Sequence, residues 1–351
     1  MSAPTMTGEA RMLSACRLQE VDCTPVWFMR QAGRCLPQYR ELRKSHGILE
    51  MIRDPELCTQ VTLMPVDLMG VDAAVLYADI MMPLYGMGVP FSIDPGIGPM
   101  IPSPIRDRAA VRALRIADAE AATPEIFEAL RMVRHELGGR AAVIGFAGAP
   151  YTLASYMIEG KPSKDRGMAK SLMYGDPQLW AELMETLTEV TINYLAAQVQ
   201  AGAQVLQLFD SWIGDLGPSA YAEHVLPHNT RIFDAIREMG VPSIHFGTGI
   251  SGILELVASA GSDLMSVDWR VGLTDAWQRI GDSTGIQGNL DPTVLLAPWE
   301  AIQREADRVL DQADGRHGHV FNLGHGVLPE TDPAKLARLV EYVHTTTGAT
   351  Q

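Results

Sequence analysis

Short apolar runs rich in branched and aromatic residues alternate along this chain with longer amphipathic stretches, and that alternation leaves few folds open to it. About eight such runs occur, at 25–29, 71–79, 141–148, 203–210, 242–246, 263–269, 286–290 and 319–325. Strands separated by helices cannot pair as hairpins, so they build a parallel sheet, and about eight units is the number that closes a (β/α)8 barrel. The stretch at 176–202 has apolar positions recurring at three and four residues and stops at Gly202, as a helix packed on such a sheet requires. The Pro- and Gly-rich residues 90–104 read as a long loop, because the strand pattern resumes beyond them. With 351 residues, 47% hydrophobic and 20% charged, one core is within reach. The expected architecture is α/β, a TIM barrel of one domain over 1–351, with 1–20 as an N-terminal extension or helix.

Most of the runs end in a polar residue: Arg30, Asp79, Asp210 with Ser211, His245, Asp268, Asn289 with Asp291, and His325. In a βα barrel the C-terminal strand ends open onto one face, where an active-site cleft is built. The first run leads into Arg30, Gln31, Ala32, Gly33 and Arg34, with Arg40 and Arg43 soon after. Guanidinium forks match carboxylates or phosphates two bonds at a time, so this loop suits a ligand with several acidic arms, and Gly33 lets backbone approach it. The formal net charge of −14 argues against nucleic acid and anionic membrane surfaces. From Arg30 to Arg53, however, six basic residues face two acidic ones, a local +4.

Other features weigh less. Cys16, Cys23, Cys35 and Cys58 form no metal-ligand spacing, so neither disulfides nor zinc are expected. No N-terminal leader pattern and no window of roughly 18 apolar residues stands out, which points to a cytoplasmic chain outside any membrane. Gly247, Gly249 and Gly252 spell GxGxxG before a helical stretch, with Asp268 beyond, but after about five strands the motif reads as a turn capping a strand rather than a dinucleotide site. Asp79 is either a cap for the next segment or a buried charge awaiting N–H donors. Tyr156, Ser211 and His325 each suit a core or capping role taken singly, although Gly324 and Gly326 free space around His325.

The segment WFMRQAGR followed by LPQYR resembles the N-terminal signature of the uroporphyrinogen decarboxylase family of the haem pathway. GFAGAPYTLASYMIEG at 145–160 resembles its second signature, and FDSW at 209–212 and NLGHG at 322–326 resemble later blocks in the family's order. The resemblance implies removal of the four acetate carboxyls of uroporphyrinogen, a cyclic tetrapyrrole, leaving methyl groups, with no metal or organic cofactor. It implies that Asp79 accepts the pyrrole N–H groups and that Tyr156, Ser211 and His325 line the substrate. Arg30 and Arg34 are expected to hold carboxylates, with Gln31, Ala32 and Gly33 as further substrate-binding residues, and Asp79, Arg30, Tyr156 and His325 to form the catalytic set, with the proton donor open between Tyr156 and His325. The family is homodimeric. This chain departs from its pattern at Cys35, in place of a usual tyrosine, and Gln38, in place of a frequent glutamate; Cys35 introduces a possible point of oxidation. A zinc methyltransferase of similar fold lacks its cysteine here, since His245 is followed by Phe246 and Gly247, and a silent tetrapyrrole binder would be expected to lose Asp79 or Tyr156.

Overall fold

The computed structural model describes residues 5–94 and 96–348. Seven strands form one parallel sheet in chain order: β1 (Ala73–Val75), β4 (Ala142–Gly148), β5 (Val205–Phe209), β6 (Ser243–Phe246), β7 (Leu264–Ser266), β8 (Gly285–Gln287) and β9 (His319–Val320). The remaining two, β2 (Ser92–Asp94) and β3 (Gly98–Met100), make a separate antiparallel hairpin inside the stretch read from sequence as a loop. Strands of three residues carry too little alternation to stand out against their Pro and Gly content.

The first apolar run forms no regular strand. Val26 makes a single parallel bridge to Phe321. The Phe321 N–H donates to the Pro25 carbonyl at 2.9 Å, and on the opposite side the Asp72 N–H donates to the Val26 carbonyl at 2.8 Å. The segment thus bonds to chain adjoining both outer strands of the sheet. Its ladder is broken because Pro25 has no N–H to give and the Val26 N–H goes to the Asp72 carboxylate at 2.7 Å. Trp27, fully buried, donates its indole N–H to Gln287 at 2.9 Å, and Gln287 donates in turn to Gln207 at 3.1 Å and Ser266 at 3.2 Å. Those bonds tie the segment to side chains from β5, β7 and β8.

Three of the helices start where the sequence reads Asp-Pro. Asp54, Asp176 and Asp332 each accept an N–H of the first turn, with proline in that turn where its missing N–H costs nothing. The helix Pro177–Gln200 ends two residues before Gly202, whose φ of 115° no other residue type adopts readily. The N-terminal stretch also yields a helix, Gly8–Cys16, whose Arg11 reaches Asp72 at 2.5 Å. Asp72 is therefore shared by Val26, Arg11 and the C-terminal helix Pro333–Thr347, through His344 at 2.7 Å. No helix among the described residues is long and apolar enough to cross a membrane.

Candidate active site

The arginine-rich loop divides into builders and free cations. Arg40 donates to the Arg34 and Cys35 carbonyls at 2.8 and 2.9 Å, and Arg43 donates to the His46 carbonyl. Gln31 is buried and clamps the loop to the sheet: its amide donates to the Ala73 carbonyl at 2.8 Å and its oxygen accepts the Phe28 N–H at 3.0 Å. Gly33 is required by the loop itself, since a Cβ there would sit 2.8 Å from the Arg30 carbonyl oxygen. Ala32 is half-buried beside it. Arg30 and Arg34 are exposed, and neither forms an ion pair or a side-chain hydrogen bond among the described residues. Arg30 ends no regular strand: the chain leaves the core at Met29 and turns at Arg30, whose φ of 62° is left-handed and costly for a residue with a Cβ.

Arg30 then lies across the glycine beside His325. A Cβ on Gly326 would meet Arg30 Cδ at 2.5 Å and Cγ at 2.9 Å, so Gly326 makes room for the arginine stem. Gly324 likewise admits the Trp269 backbone, whose nitrogen would be 2.7 Å from a Cβ. The two glycines serve close packing rather than open space around the imidazole. Half-buried His325 has its pKa lowered by burial first and then by the charges of Arg30 and Arg270, against Asp268.

Asp79 is half-buried and caps no helix, since the next one, Pro83–Met87, has Met82 at its N-cap. Its Oδ1 accepts the Met81 N–H at 2.9 Å, closing the turn before the helix Pro83–Met87, while Oδ2 has no partner among the described residues. Burial raises its pKa, opposed by the Met81 N–H and by Arg30. Tyr156, in the helix Pro150–Glu159, feels the same neighbours: burial and then Asp79 raise its phenol, while Arg30 and Arg166 oppose. Its ring lies 4.3 Å from the Trp212 ring. Ser211 is half-buried next to Trp212, and its carbonyl accepts the Thr248 hydroxyl at 3.1 Å. Arg30, Asp79, Tyr156 and His325 thus come from four distant parts of the chain into one electrostatic neighbourhood.

Below it runs a row of rings that sequence reasoning missed. Phe146 of β4, Phe209 of β5 and Phe246 of β6 have successive centroid separations of 5.4 and 5.1 Å, and Phe246 is 6.2 Å from His325. The signal was a phenylalanine at or near the end of three consecutive apolar runs. Not every polar strand end joins the site. His245 alternates with Phe246 and so faces outward, 4.9 Å from the Phe233 ring, fully buried. Asp210 turns the same way and accepts from Thr152 at 3.2 Å and Asn229 at 2.8 Å. Asp268 is occupied by Arg270 at 2.8 Å and the Gly249 N–H at 2.6 Å, and Asn289 donates to the Asp268 and Val271 carbonyls at 3.0 and 2.6 Å. GTGISG is a short 3-10 turn over Ile250–Gly252 whose Gly249 N–H is spent on Asp268, leaving no phosphate cradle of the dinucleotide type.

The model of the family described as uroporphyrinogen decarboxylase matches residues 7–346. The chain belongs to the uroporphyrinogen decarboxylase family. It is 50% identical over 349 residues to the uroporphyrinogen decarboxylase of Streptomyces avermitilis, covering 98% of this chain and 97% of that one. The uroporphyrinogen decarboxylase of Roseiflexus sp. (strain RS-1) is 48% identical, with 95% and 98% covered. A solved methyltransferase from Methanosarcina mazei shares the fold alone, with a TM-score of 0.77 at 21% identity over 97% of this chain and 99% of that one. Among the described residues of this family member, no three His, Cys, Asp or Glu side chains cluster as metal ligands. Cys35, the departure beside the arginines, is buried with its thiol pushed up to about 11 by burial, so it carries little reactive thiolate and the expected sensitivity to oxidation is corrected. Gln38 is exposed.

Proposed function

We propose that this chain removes carbon dioxide from the four acetate side chains of uroporphyrinogen III to give coproporphyrinogen III, using the neighbourhood of Arg30, Asp79, Tyr156 and His325. The observation that carries the assignment of residues is that convergence, in a chain about half identical to named decarboxylases over nearly its whole length. Protonation of a pyrrole carbon makes the ring a cationic electron sink. The bond from the acetate methylene to its carboxyl then breaks, its electron pair enters the ring, and carbon dioxide leaves. A proton taken up at the methylene completes the methyl group, and the ring carbon returns its own proton. Substrate supplies the sink, so the chemistry needs no cofactor.

Each residue then has a task. The free Oδ2 of Asp79 accepts pyrrole N–H groups and stabilises the cationic ring. Arg30 and Arg34 hold carboxylates, with Gln31, Ala32 and Gly33 shaping their loop. Ser211 offers a hydroxyl at the rim, and Tyr156 or His325 delivers the proton. The phenylalanine row gives the macrocycle an apolar floor that lowers the local dielectric. The same reading takes the Pro25–Trp27 segment as the eighth stave of a closed (β/α)8 barrel of one domain, supported by its bonds on both sides. A cytoplasmic homodimer, as in the family, belongs to it too.

The test is anaerobic incubation of the purified, metal-free protein with uroporphyrinogen, then oxidation and separation of porphyrins by carboxylate number. Seven-, six-, five- and four-carboxylate products, lost in Asp79→Ala, are expected. Tight binding without loss of carboxylate would make it a silent tetrapyrrole binder instead.

A further inference from the structure

We propose that Arg166 is a positioning residue which, through the indole of Trp212, fixes where the Tyr156 phenol stands. The inference rests on the reading that Tyr156 meets the substrate. The helix carrying Tyr156 ends at Glu159, and Gly160 follows with φ 77°, its N–H returning to the Tyr156 carbonyl at 2.9 Å. The next residues double back. Glu159 holds the return by accepting the Met168 and Ala169 N–H groups at 2.9 and 3.1 Å.

At the turn, Arg166 takes a left-handed φ of 47° and is only 8% exposed. Its guanidinium donates to the Ser163 carbonyl at 3.2 Å and the Lys164 carbonyl at 2.7 Å, and pairs with the Asp215 carboxylate. Burying a cation in a strained backbone is costly, and a small apolar residue would close such a loop more cheaply. What the arginine adds is a plane. Its guanidinium carbon lies 5.0 Å from the Trp212 ring centroid, a cation–π contact, and Trp212 in turn packs against Tyr156 at 4.3 Å. Arg166, Trp212 and Tyr156 therefore form one chain of contacts, the two rings inclined at 46°, anchored at one end by the loop's carbonyls and Asp215. Because Trp212 follows Ser211, these contacts also hold the chain at a second candidate substrate contact.

The test combines kinetics with a direct view of the phenol. Arg166→Gln should lower kcat about ten- to hundredfold, as expected when a reacting group is displaced by about 1 Å, with KM little changed. In a Tyr156→Phe background the same substitution should cost nothing further, since an effect routed through the phenol is already lost. With tyrosine labelled at the phenol carbon with 13C, the resonance that disappears in Tyr156→Phe should move in Arg166→Gln. Equal losses in both backgrounds, or an unmoved resonance, would overturn the proposal and leave Arg166 a loop residue only. Should Arg166→Gln not fold, Trp212→Leu removes the middle plane while leaving the arginine's own bonds, and the same two readouts decide. If Tyr156→Phe keeps full kcat, the reading of Tyr156 fails, while the resonance in Arg166→Gln still shows whether Arg166 orients that ring.

Discussion

Gly326→Ala should disable the site while leaving the fold intact. The backbone at Gly326 is not left-handed, so alanine is accommodated there without dihedral strain. Its Cβ would stand 2.5 Å from Arg30 Cδ, 2.9 Å from Cγ and 3.2 Å from Nε. Carbon pairs rest at about 3.5–4.0 Å, so the arginine stem must retreat by about 1 Å or more. That stem belongs to an exposed side chain that can move, and the stability change should stay within about 0.5 kcal/mol, or about 1–2 °C in Tm. A guanidinium carried about 1 Å from a carboxylate it orients costs up to about 100-fold in kcat/KM. Thermal melting and anaerobic turnover of uroporphyrinogen, with products separated by carboxylate number, measure the two. Unchanged kcat/KM in a folded variant would refute the claim that Arg30 acts from its seat on Gly326. Gly324→Ala is the contrast, since its Cβ would meet the Trp269 backbone nitrogen at 2.7 Å and Asp268 Cα at 3.0 Å, which cannot swing aside. There the loss should be about 1–3 kcal/mol of stability.

Asp72→Ala should cost about 1–3 kcal/mol in urea denaturation, because it frees the buried Val26 N–H and His344 together, while Arg11 loses one carboxylate and keeps Asp22 at 2.6 Å. Native protein at neutral pH should resist thiol alkylation at all four cysteines: all are buried, with burial pushing Cys23 and Cys58 up to about 12. A mass spectrum showing rapid labelling of Cys35 would contradict its placement. Asp79→Asn should lower kcat about 100- to 1000-fold and remove the acid limb of the pH profile. That limb lies above the ordinary carboxylate range because burial raises the Asp79 pKa, so the anion is lost as pH falls through the higher value.

The sequence made the parallel sheet legible because buried parallel strands read as continuous apolar runs, and seven of the runs contain sheet strands. The run at Pro25 makes a single bridge rather than a regular strand for a local reason, a proline and a competing carboxylate, that no periodicity reports. The hairpin at β2 and β3 was too short to register. Within the candidate site, Asp79, Tyr156 and His325 were proposed on the family resemblance, yet which arginines are free was not visible: Arg30, Arg34, Arg40 and Arg43 look alike until the carbonyls that claim Arg40 and Arg43 are in place. His245 and Asp210 failed for want of register, since one residue along a strand reverses the face. Phe246, adjacent to His245, faces the site for the same reason.

The opposed shifts at Asp79 and His325 bear on the proton donor. Burial keeps Asp79 protonated to a higher pH than an ordinary carboxylate and keeps His325 neutral to a lower pH than an ordinary imidazole. At neutral pH His325 is therefore an uncharged ring, and a proton placed on it would face the cations of Arg30 and Arg270. Tyr156 is protonated throughout, since burial and Asp79 raise its phenol, and Arg30 and Arg166 stand ready to stabilise the phenolate it would leave. Donation by an imidazolium requires kcat to fall as pH rises through a value below about 6.5, giving a narrow acidic optimum between that limb and Asp79. Donation by the phenol places the falling limb above about 10 instead. Arg30 and Arg270 oppose a charge on His325, whereas Arg30 and Arg166 offset part of what burial and Asp79 impose on the phenolate, so a plateau broad through neutrality is expected, and His325→Gln should lower its height without changing its shape. An acidic optimum whose alkaline limb disappears in His325→Gln would assign the proton to the imidazole and refute this order.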